Sequence, residues 1–177
     1  SRLWMRHTSA ATGKKGIAAT LYAPSQISLE TDDANVSIVE DTYYPFDGEI
    51  RFYFTTTRPV SFPFTYRIPN WCDDYTLLLN GKRLPSEAKK GTFATLERTF
   101  QTGDVLTLRL TMKPRVVEAL GHQGRYVECG PLLFSYAIPE HWEEDSEVHA
   151  NLNQLEQREG DAICEQDNDV IMATAIW

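Results

Sequence analysis

The sequence predicts an all-β fold, a two-sheet antiparallel β-sandwich of jelly-roll type that ends in an irregular acidic C-terminal segment. Short strand-like runs are separated by turn signals about every eight to twelve residues, which is typical of sandwiches. Many of these runs alternate apolar and polar residues, as half-buried strands do. The chain also contains 8 Phe, 8 Tyr and 4 Trp, and aromatic residues favour strands over helices.

The 177 residues suit one domain, or one domain and a tail. We expect residues 1–15 to be a connector, or a hairpin arm, from a missing N-terminal domain, because they lack a regular pattern. Residues 16–138 hold the strand-like runs and form the predicted sandwich. Residues 139–177 are rich in Glu, Gln and Asn, and we expect an acidic loop with one short helix near 151–158 and a closing strand.

The first predicted strands each end at a turn signal or a proline. They cover residues 16–22, 26–30, 35–42 and 49–56. In the last of them Ile50, Phe52 and Phe54 share one face, which predicts a half-buried strand of an antiparallel sheet. The loop at 43–48, YYPFDG, is rich in aromatic residues and ends in an Asp-Gly turn pair.

Residues 61–82, SFPFTYRIPNWCDDYTLLLNGK, are the strongest fold signal in the chain. Their first half places four large apolar residues on one face at period two: Phe62, Phe64, Tyr66 and Ile68. Pro63 falls in this strand and has no backbone N–H. The sequence therefore predicts that the strand lies at a sheet edge or carries a bulge at Pro63.

The second half of this stretch predicts a corner and then a hairpin. Pro69 and Asn70 end the strand, and Trp71 stands at the corner. The next strand, 75–79, is followed by Asn80-Gly81, a pair that favours two-residue hairpin turns because both positions take positive φ. Residues 82–84 pair back across this turn. Five further strands follow, and they cover residues 92–100, 105–112, 115–120, 126–129 and 132–138, the last two separated by a Gly-Pro pair.

Charge and cysteine content exclude some classes of function. The formal net charge is −8 and the basic residues are scattered, whereas nucleic-acid binding requires a basic face. No apolar run approaches the roughly 20 residues of a transmembrane helix. The odd, widely spaced cysteines Cys72, Cys129 and Cys164 indicate free, partly buried thiols rather than disulfides or a zinc cage.

Several segments resemble one enzyme family in their order and spacing. They are GIAATLYAPSQISLE (16–30), DTYYPFDGEIRF (41–52), FTYRIPNWCDDYTLLLNGK (64–82), FQTGDVLTLRLTMKPRVV (100–117) and ECGPLLFSYA (128–137). Together they cover most of residues 16–138. In this order the chain resembles the β-sandwich domain that follows the catalytic barrel in glycoside hydrolase family 127, the β-L-arabinofuranosidase-like proteins.

The resemblance implies a larger glycosidase with an (α/α) barrel before this chain. In the family the zinc site and the cysteine nucleophile lie in that barrel, so no cofactor is expected in this chain and no catalytic residue is carried over. Cys72, Cys129 and Cys164 match no part of the zinc motif. The implied partners are the missing catalytic domain and an arabinose-containing glycan, with no nucleic acid and no membrane span.

Acidic and histidine residues offer no clear catalytic device. Glycoside hydrolysis uses two carboxylates, but the acidic pairs here are neighbours in predicted turns, and we interpret them as solvated. These pairs are Asp32-Asp33, Asp73-Asp74 and Glu143-Glu144-Asp145. The histidines have neither metal-binding nor triad spacing, and are His7, His122, His141 and His149.

Aromatic residues are the best functional candidates. Tyr43, Tyr44 and Phe46 share one loop, and Trp71 stands beside Asn70 at the corner. These five residues are predicted to contact either a sugar ring or the missing barrel. We favour the alternative that Trp71 and Phe46 fill the corners of the sandwich or contact the barrel, because Trp is usually highly buried.

Two functions from different classes remain. The first is a non-catalytic domain that packs on and stabilises the catalytic barrel of a glycosidase. The second is an autonomous carbohydrate-binding module. An enzyme contained in this chain alone is the weakest hypothesis, because the sequence displays no nucleophile with a neighbouring base.

Overall fold

The computed structural model describes residues 3–31, 33–86, 88–118, 124–136 and 171–174. Within these ranges the regular structure consists of strands, and no helix is found. The strands are β1 (Trp4–Thr8), β2 (Lys15–Ala19), β3 (Ser25–Glu30), β4 (Asn35–Thr42), β5 (Glu49–Thr56), β6 (Val60–Arg67), β7 (Tyr75–Leu79), β8 (Lys82–Leu84), β9 (Phe93–Phe100), β10 (Val105–Leu110), β11 (Pro114–Glu118), β12 (Arg125–Cys129), β13 (Leu132–Tyr136) and β14 (Ile171–Thr174).

The strands form three sheets. Sheet A has the order β1-β2-β6-β9, sheet B the order β3-β4-β5-β10-β7-β8, and sheet C the order β11-β12-β13-β14. The predicted all-β, sandwich-like fold is confirmed. Two details of the prediction are wrong: β2 and β6 pair in parallel rather than antiparallel, and the strands after residue 113 form a third sheet, sheet C, rather than part of the two.

The core lies between sheets A and B and is rich in phenylalanine. Phe52 and Phe54 of β5 meet Phe64 of β6 and Phe100 of β9, and all four are almost fully buried. The Phe54 and Phe100 rings stack with centroids 4.2 Å apart, and the Phe52 and Phe64 rings meet edge to face at 4.9 Å. These are the geometries that aromatic pairs prefer, so the contacts join the two sheets.

The prediction for Pro63 is wrong. β6 lies between β2 and β9, and its register with β9 runs without a bulge from Val60 opposite Phe100 to Arg67 opposite Phe93. An interior proline is tolerated because the ladder with β2 begins only at Phe64, one residue further on. Gly16 supplies the room, since a Cβ there would lie 2.6 Å from Pro63 Cγ and would overlap the Pro63 carbonyl oxygen.

The predicted hairpin between β7 and β8 is present. Asn80 and Gly81 have φ values of 50° and 77°, as the two-residue turn requires. Both polar groups of the Asn80 side chain also form hydrogen bonds. Its amide donates to Asp104 Oδ1 at 2.8 Å, and its oxygen accepts from the Val105 N–H at 2.8 Å. The turn is therefore tied to the start of β10.

The ends of the chain are described in part. β1, within residues 1–15, pairs along β2 and forms the edge of sheet A. The contact of this stretch with a preceding domain stays a prediction. At the other end, β14 pairs with β13. The predicted acidic loop and the short helix near 151–158 lie outside the described residues.

One end of the sandwich gathers the candidate residues. Thr42 pairs with Ile50, Glu49 with Arg109, and Leu110 with Tyr75. The loops 43–48, 68–74 and 111–113 therefore lie side by side, and we call them the loop end. Backbone hydrogen bonds join them, from Leu110 N–H to the Gly48 carbonyl (2.8 Å) and from Thr111 N–H to the Asp74 carbonyl (2.9 Å).

Candidate functional site

The five predicted site residues all lie at the loop end, but in different surroundings. Tyr43 and Phe46 are 81% and 67% exposed, and Asn70 is also exposed. Tyr44 and Trp71 are half-buried and pack against the core. Trp71 thus contributes to the corner of the sandwich, whereas the high exposure of Phe46 shows that it does not fill a corner.

Tyr44 and Trp71 are brought together by the fold. The Trp71 indole, whose N–H can only donate, lies near enough to the Tyr44 hydroxyl to affect its pKa. Burial raises the pKa of Tyr44, and the neighbouring Trp71 N–H and the charge of Arg67 oppose that rise. The Tyr44 ring also meets the Tyr22 ring edge to face at 5.7 Å. Both side chains are partly buried against the core, which restricts their movement.

The loop that carries Tyr43 and Phe46 is anchored by its own hydrogen bonds. Thr42 Oγ1 accepts from the Tyr44 N–H at 3.0 Å and donates to the Glu49 carbonyl at 2.7 Å. The Phe46 N–H donates to the Tyr43 carbonyl at 2.9 Å. Pro45, which follows a cis peptide bond and directly precedes Phe46, is buried. The hydrogen-bonded loop therefore presents both rings outward.

Asn70 faces a different loop from the aromatic candidates. A Cβ on Gly91 would lie 2.9 Å from Asn70 Oδ1, so the amide sits against the 88–92 loop. That loop is tied to the end of β6, because the Gly91 N–H donates to the Ile68 carbonyl at 2.9 Å. The Asn70 amide therefore lies beside this loop rather than among the aromatic candidates.

A small cavity beside Trp71 contains residues that sequence reasoning missed. It has a volume of about 150 Å³ and is lined by Trp71, Asp73, Asp74, Lys113 and Arg115, with Thr111 and Gly130. The two basic residues come from the start of sheet C, some forty positions after the acidic pair. Nothing in the local sequence indicates this meeting, because only the three-dimensional path of the chain after β10 produces it.

Two of the charged residues that line this cavity, Asp73 and Arg115, form ion pairs with residues outside its lining. Lys90 Nζ lies 2.6 Å from Asp73 Oδ1, and Arg115 is paired with Glu128. The hydrogen bond from Lys90 holds the pKa of Asp73 below its usual range, and the charges of Lys90, Arg115 and Lys113 act in the same direction. The predicted solvated pair Asp73-Asp74 is exposed, and it faces cations at the cavity.

Glu40 is a buried carboxyl group that the candidate set omitted. It is 1% exposed, and its oxygens accept from the Ala23 N–H and the Ser25 hydroxyl, each at 3.2 Å. The Trp4 indole donates to the same hydroxyl at 3.0 Å. Burial raises the pKa of Glu40 to about 8. The sequence carries a signal for it, since Glu40 continues the inward face of Val36 and Ile38.

The remaining titratable candidates provide no reactive centre in the described part of the chain. Within it no cluster of three or more His, Cys, Asp or Glu residues could hold a metal ion. Cys72 and Cys129 are free, and burial raises the pKa of the Cys72 thiol, which disfavours a reactive thiolate. His7 contacts the Thr65 hydroxyl at 3.0 Å. Outside the described residues lie Asp32, His122, His141, Glu143, Glu144, Asp145, His149 and Cys164.

Membrane insertion through a helix finds no support. Among the residues that the structure describes, none belongs to a helix long and apolar enough to cross a bilayer.

Known proteins resemble this chain in both sequence and structure. Residues 16–112 match the family model of the β-L-arabinofuranosidase GH127 middle domain. A structure titled as a glycoside hydrolase shares 28% identity, with a TM-score of 0.60 over 67% of this chain and 21% of its own. A comparison with curated protein sequences gave no match.

Two further structures carry the family in their titles. Ara127N-Se, a GH127 β-L-arabinofuranosidase from Geobacillus stearothermophilus T6, shares 25% identity, with a TM-score of 0.64 over 75% of this chain and 21% of its own. A GH127 β-arabinofuranosidase shares 26% identity, with a TM-score of 0.58 over 67% of this chain and 22% of its own. The chain therefore spans about a fifth of the length of the structures it matches. With the family model covering more than half of its residues, this chain belongs to glycoside hydrolase family 127, of which it carries the middle domain.

Proposed function

We propose that this chain is a non-catalytic domain of a larger arabinofuranosidase-like glycoside hydrolase, and that it stabilises the catalytic domain by packing against it. The match to the model of a middle domain supports this proposal. The chain also spans only about a fifth of the length of each related structure. The relatives' titles name arabinofuranosidases. The proposed substrate of the whole protein is accordingly an arabinose-containing glycan.

The carboxylates of the described residues support a role outside catalysis. Glycosidases usually place two carboxyl groups on either side of the scissile bond. Glu40 is enclosed in the sandwich and cannot meet a substrate. Asp73 and Asp74 are neighbours in one turn, and Asp73 is paired with Lys90. The family resemblance assigns the zinc and the nucleophile to the barrel, so we propose that this domain works without a cofactor of its own.

Tyr43 and Phe46 are the proposed contact with the catalytic domain. Two large aromatic rings that protrude from an anchored loop expose apolar surface, and they lose little conformational freedom on docking because the loop is already ordered. Full burial of a Phe side chain contributes roughly 1.5–3 kcal/mol, so docking Phe46 is worth about 1–2 kcal/mol.

The catalytic part of the proposal is tested by hydrolysis of an aryl β-L-arabinofuranoside. We expect no hydrolysis by this chain alone and measurable hydrolysis by the full-length protein. Release of the aryl group by the purified chain, abolished by a substitution within it, would contradict a non-catalytic role.

The packing part is tested by replacing both exposed rings with serine, Tyr43→Ser and Phe46→Ser. In the full-length protein we expect a lower Tm and faster loss of activity on heating, because the interface loses its apolar contact. The isolated chain should keep its own Tm. Phe93→Ser is the matched control, since Phe93 is 54% exposed on the outer face of sheet A. Equal effects of the control and the double variant in the full-length protein would refute this contact.

A further inference from the structure

The cavity beside Trp71 has the size and the polar groups of a small-molecule site. Its volume of about 150 Å³ lies below the roughly 300–1,000 Å³ of pockets that enclose drug-sized ligands, so it admits one ring rather than a chain. One aromatic side chain and several convergent polar groups line it. That combination is typical of ligand sites. The apolar side chains bury the surface of the ligand, and the polar groups fix its orientation.

The charges around the cavity balance one another. The acids are Asp73, Asp74 and Glu128, and the bases are Lys90, Lys113 and Arg115. Equal numbers of each sign favour neither an anion nor a cation. A ligand suited to them must both donate to carboxylates and accept from ammonium and guanidinium groups. Hydroxyl groups do both, and a neutral sugar carries several of them on one ring.

The aromatic wall of the cavity is held in place before any ligand arrives. Trp71 packs against the core near Tyr44, and Tyr44 in turn packs on Tyr22. Two residues of its lining are joined by the hydrogen bond from the Thr111 N–H to the Asp74 carbonyl. A pre-organised site loses less entropy on binding.

We propose that this cavity binds one neutral sugar residue, with the ring against Trp71 and its hydroxyls bonded to Asp74, Lys113 and Arg115. Nothing in the family match assigns a ligand to this position. The inference rests on the membership of the chain in a glycosidase family, which supplies the ligand class, and is independent of the packing role of Tyr43 and Phe46.

The test is an NMR titration of the ¹⁵N-labelled chain with L-arabinose, with inorganic phosphate as the second probe. We expect saturable shifts of the Trp71 indole N–H and of the backbone amides at 111–115. Lys113→Gln should weaken binding about tenfold, because it removes a charged hydrogen-bond donor. Lys82→Gln is the matched control, since it makes the same charge change at the exposed start of β8 and should leave the affinity unchanged.

Three results would overturn the proposal. One is the lack of saturable shifts at Trp71 in a chain whose spectrum shows it folded. A second is an equal affinity of Lys113→Gln and Lys82→Gln for the sugar. A third is a stronger response of the same resonances to phosphate, which would identify an anion site. None of these outcomes bears on the heat stability of the Tyr43→Ser, Phe46→Ser variant, so the two proposals fail separately.

Discussion

Replacing Glu40 by Gln should stabilise the domain, and increasingly so as the pH rises. Glu40 is 1% exposed, and burial raises its pKa from 4.5 to about 8. A group whose folded pKa is raised contributes stability that is present below the unfolded pKa and is lost as the pH rises through the folded pKa. For Glu40 this loss begins near pH 4.5 and is complete above about pH 8. At neutral pH the raised pKa of Glu40 therefore lowers the free energy of unfolding of the wild-type chain.

The magnitude follows from the two pKa values. The difference between 4.5 and about 8 corresponds to about 5 kcal/mol at a pH above both, and to about 3 kcal/mol at pH 7. The glutamine side chain does not titrate. Its amide oxygen can still accept from the Ala23 N–H or the Ser25 hydroxyl, so the substitution removes the cost of protonating Glu40 on folding and keeps an acceptor in place.

Urea unfolding of the wild type and Glu40→Gln, at several pH values from about 5 to 8, measures the difference in the free energy of unfolding. We expect the difference to grow by about 3 kcal/mol over this range. Glu30→Gln is the matched control, because Glu30 is exposed on the neighbouring strand β3. The opposite result is that the free energy of unfolding of Glu40→Gln minus that of the wild type stays as constant with pH as it does for Glu30→Gln. That result would refute the argument that Glu40 is protonated in the folded domain at neutral pH.

Two further substitutions test the packing of the sandwich by thermal unfolding. Gly16→Ala should cost about 1–3 kcal/mol, because its Cβ would overlap the Pro63 carbonyl. Gly124→Ala is the control and should change stability little, since no atom of the described residues lies within 4 Å of its Cβ. Equal effects would contradict the close approach of Gly16 to Pro63. Phe54→Ala should cost about 3–5 kcal/mol through the cavity it leaves between the sheets, and the exposed Phe93→Ala should cost far less. A small loss for Phe54→Ala would show that this ring is not part of the core.

Much of the fold could be predicted from local sequence because period-two alternation reports which face of a strand is buried. Phe62, Phe64, Tyr66 and Ile68 were predicted to share a face, and all four lie in the core. Asn80-Gly81 was predicted to form the turn that it forms. The sequence could not predict that Pro63 lies in an interior strand. The space for its ring exists because Gly16, which is distant in the sequence, has no side chain.

The candidate site was predictable only in part. Tyr43, Tyr44, Phe46, Asn70 and Trp71 were chosen for residue type and loop position, and the structure places them at one end of the sandwich. Their role in contact with a sugar or a barrel stays a prediction.

The partners around these residues could not be found from sequence. Lys113 and Arg115 reach the Trp71 corner through the turn from β10 into sheet C. Trp71 and Tyr44 lie near each other although their loops follow different strands. Such meetings depend on strand order, which alternation does not encode.

By itself, the sequence determined that this is an all-β domain, which residues form its core, and which family it resembles. Those properties follow from side-chain periodicity, turn chemistry and motif order, all of which are local. Only the tertiary structure decided that β6 is an interior strand, that β2 pairs with it in parallel, and that Glu40 is enclosed. These depend on which surfaces meet across the two sheets, because burial and charge pairing are set by neighbours in space rather than along the chain.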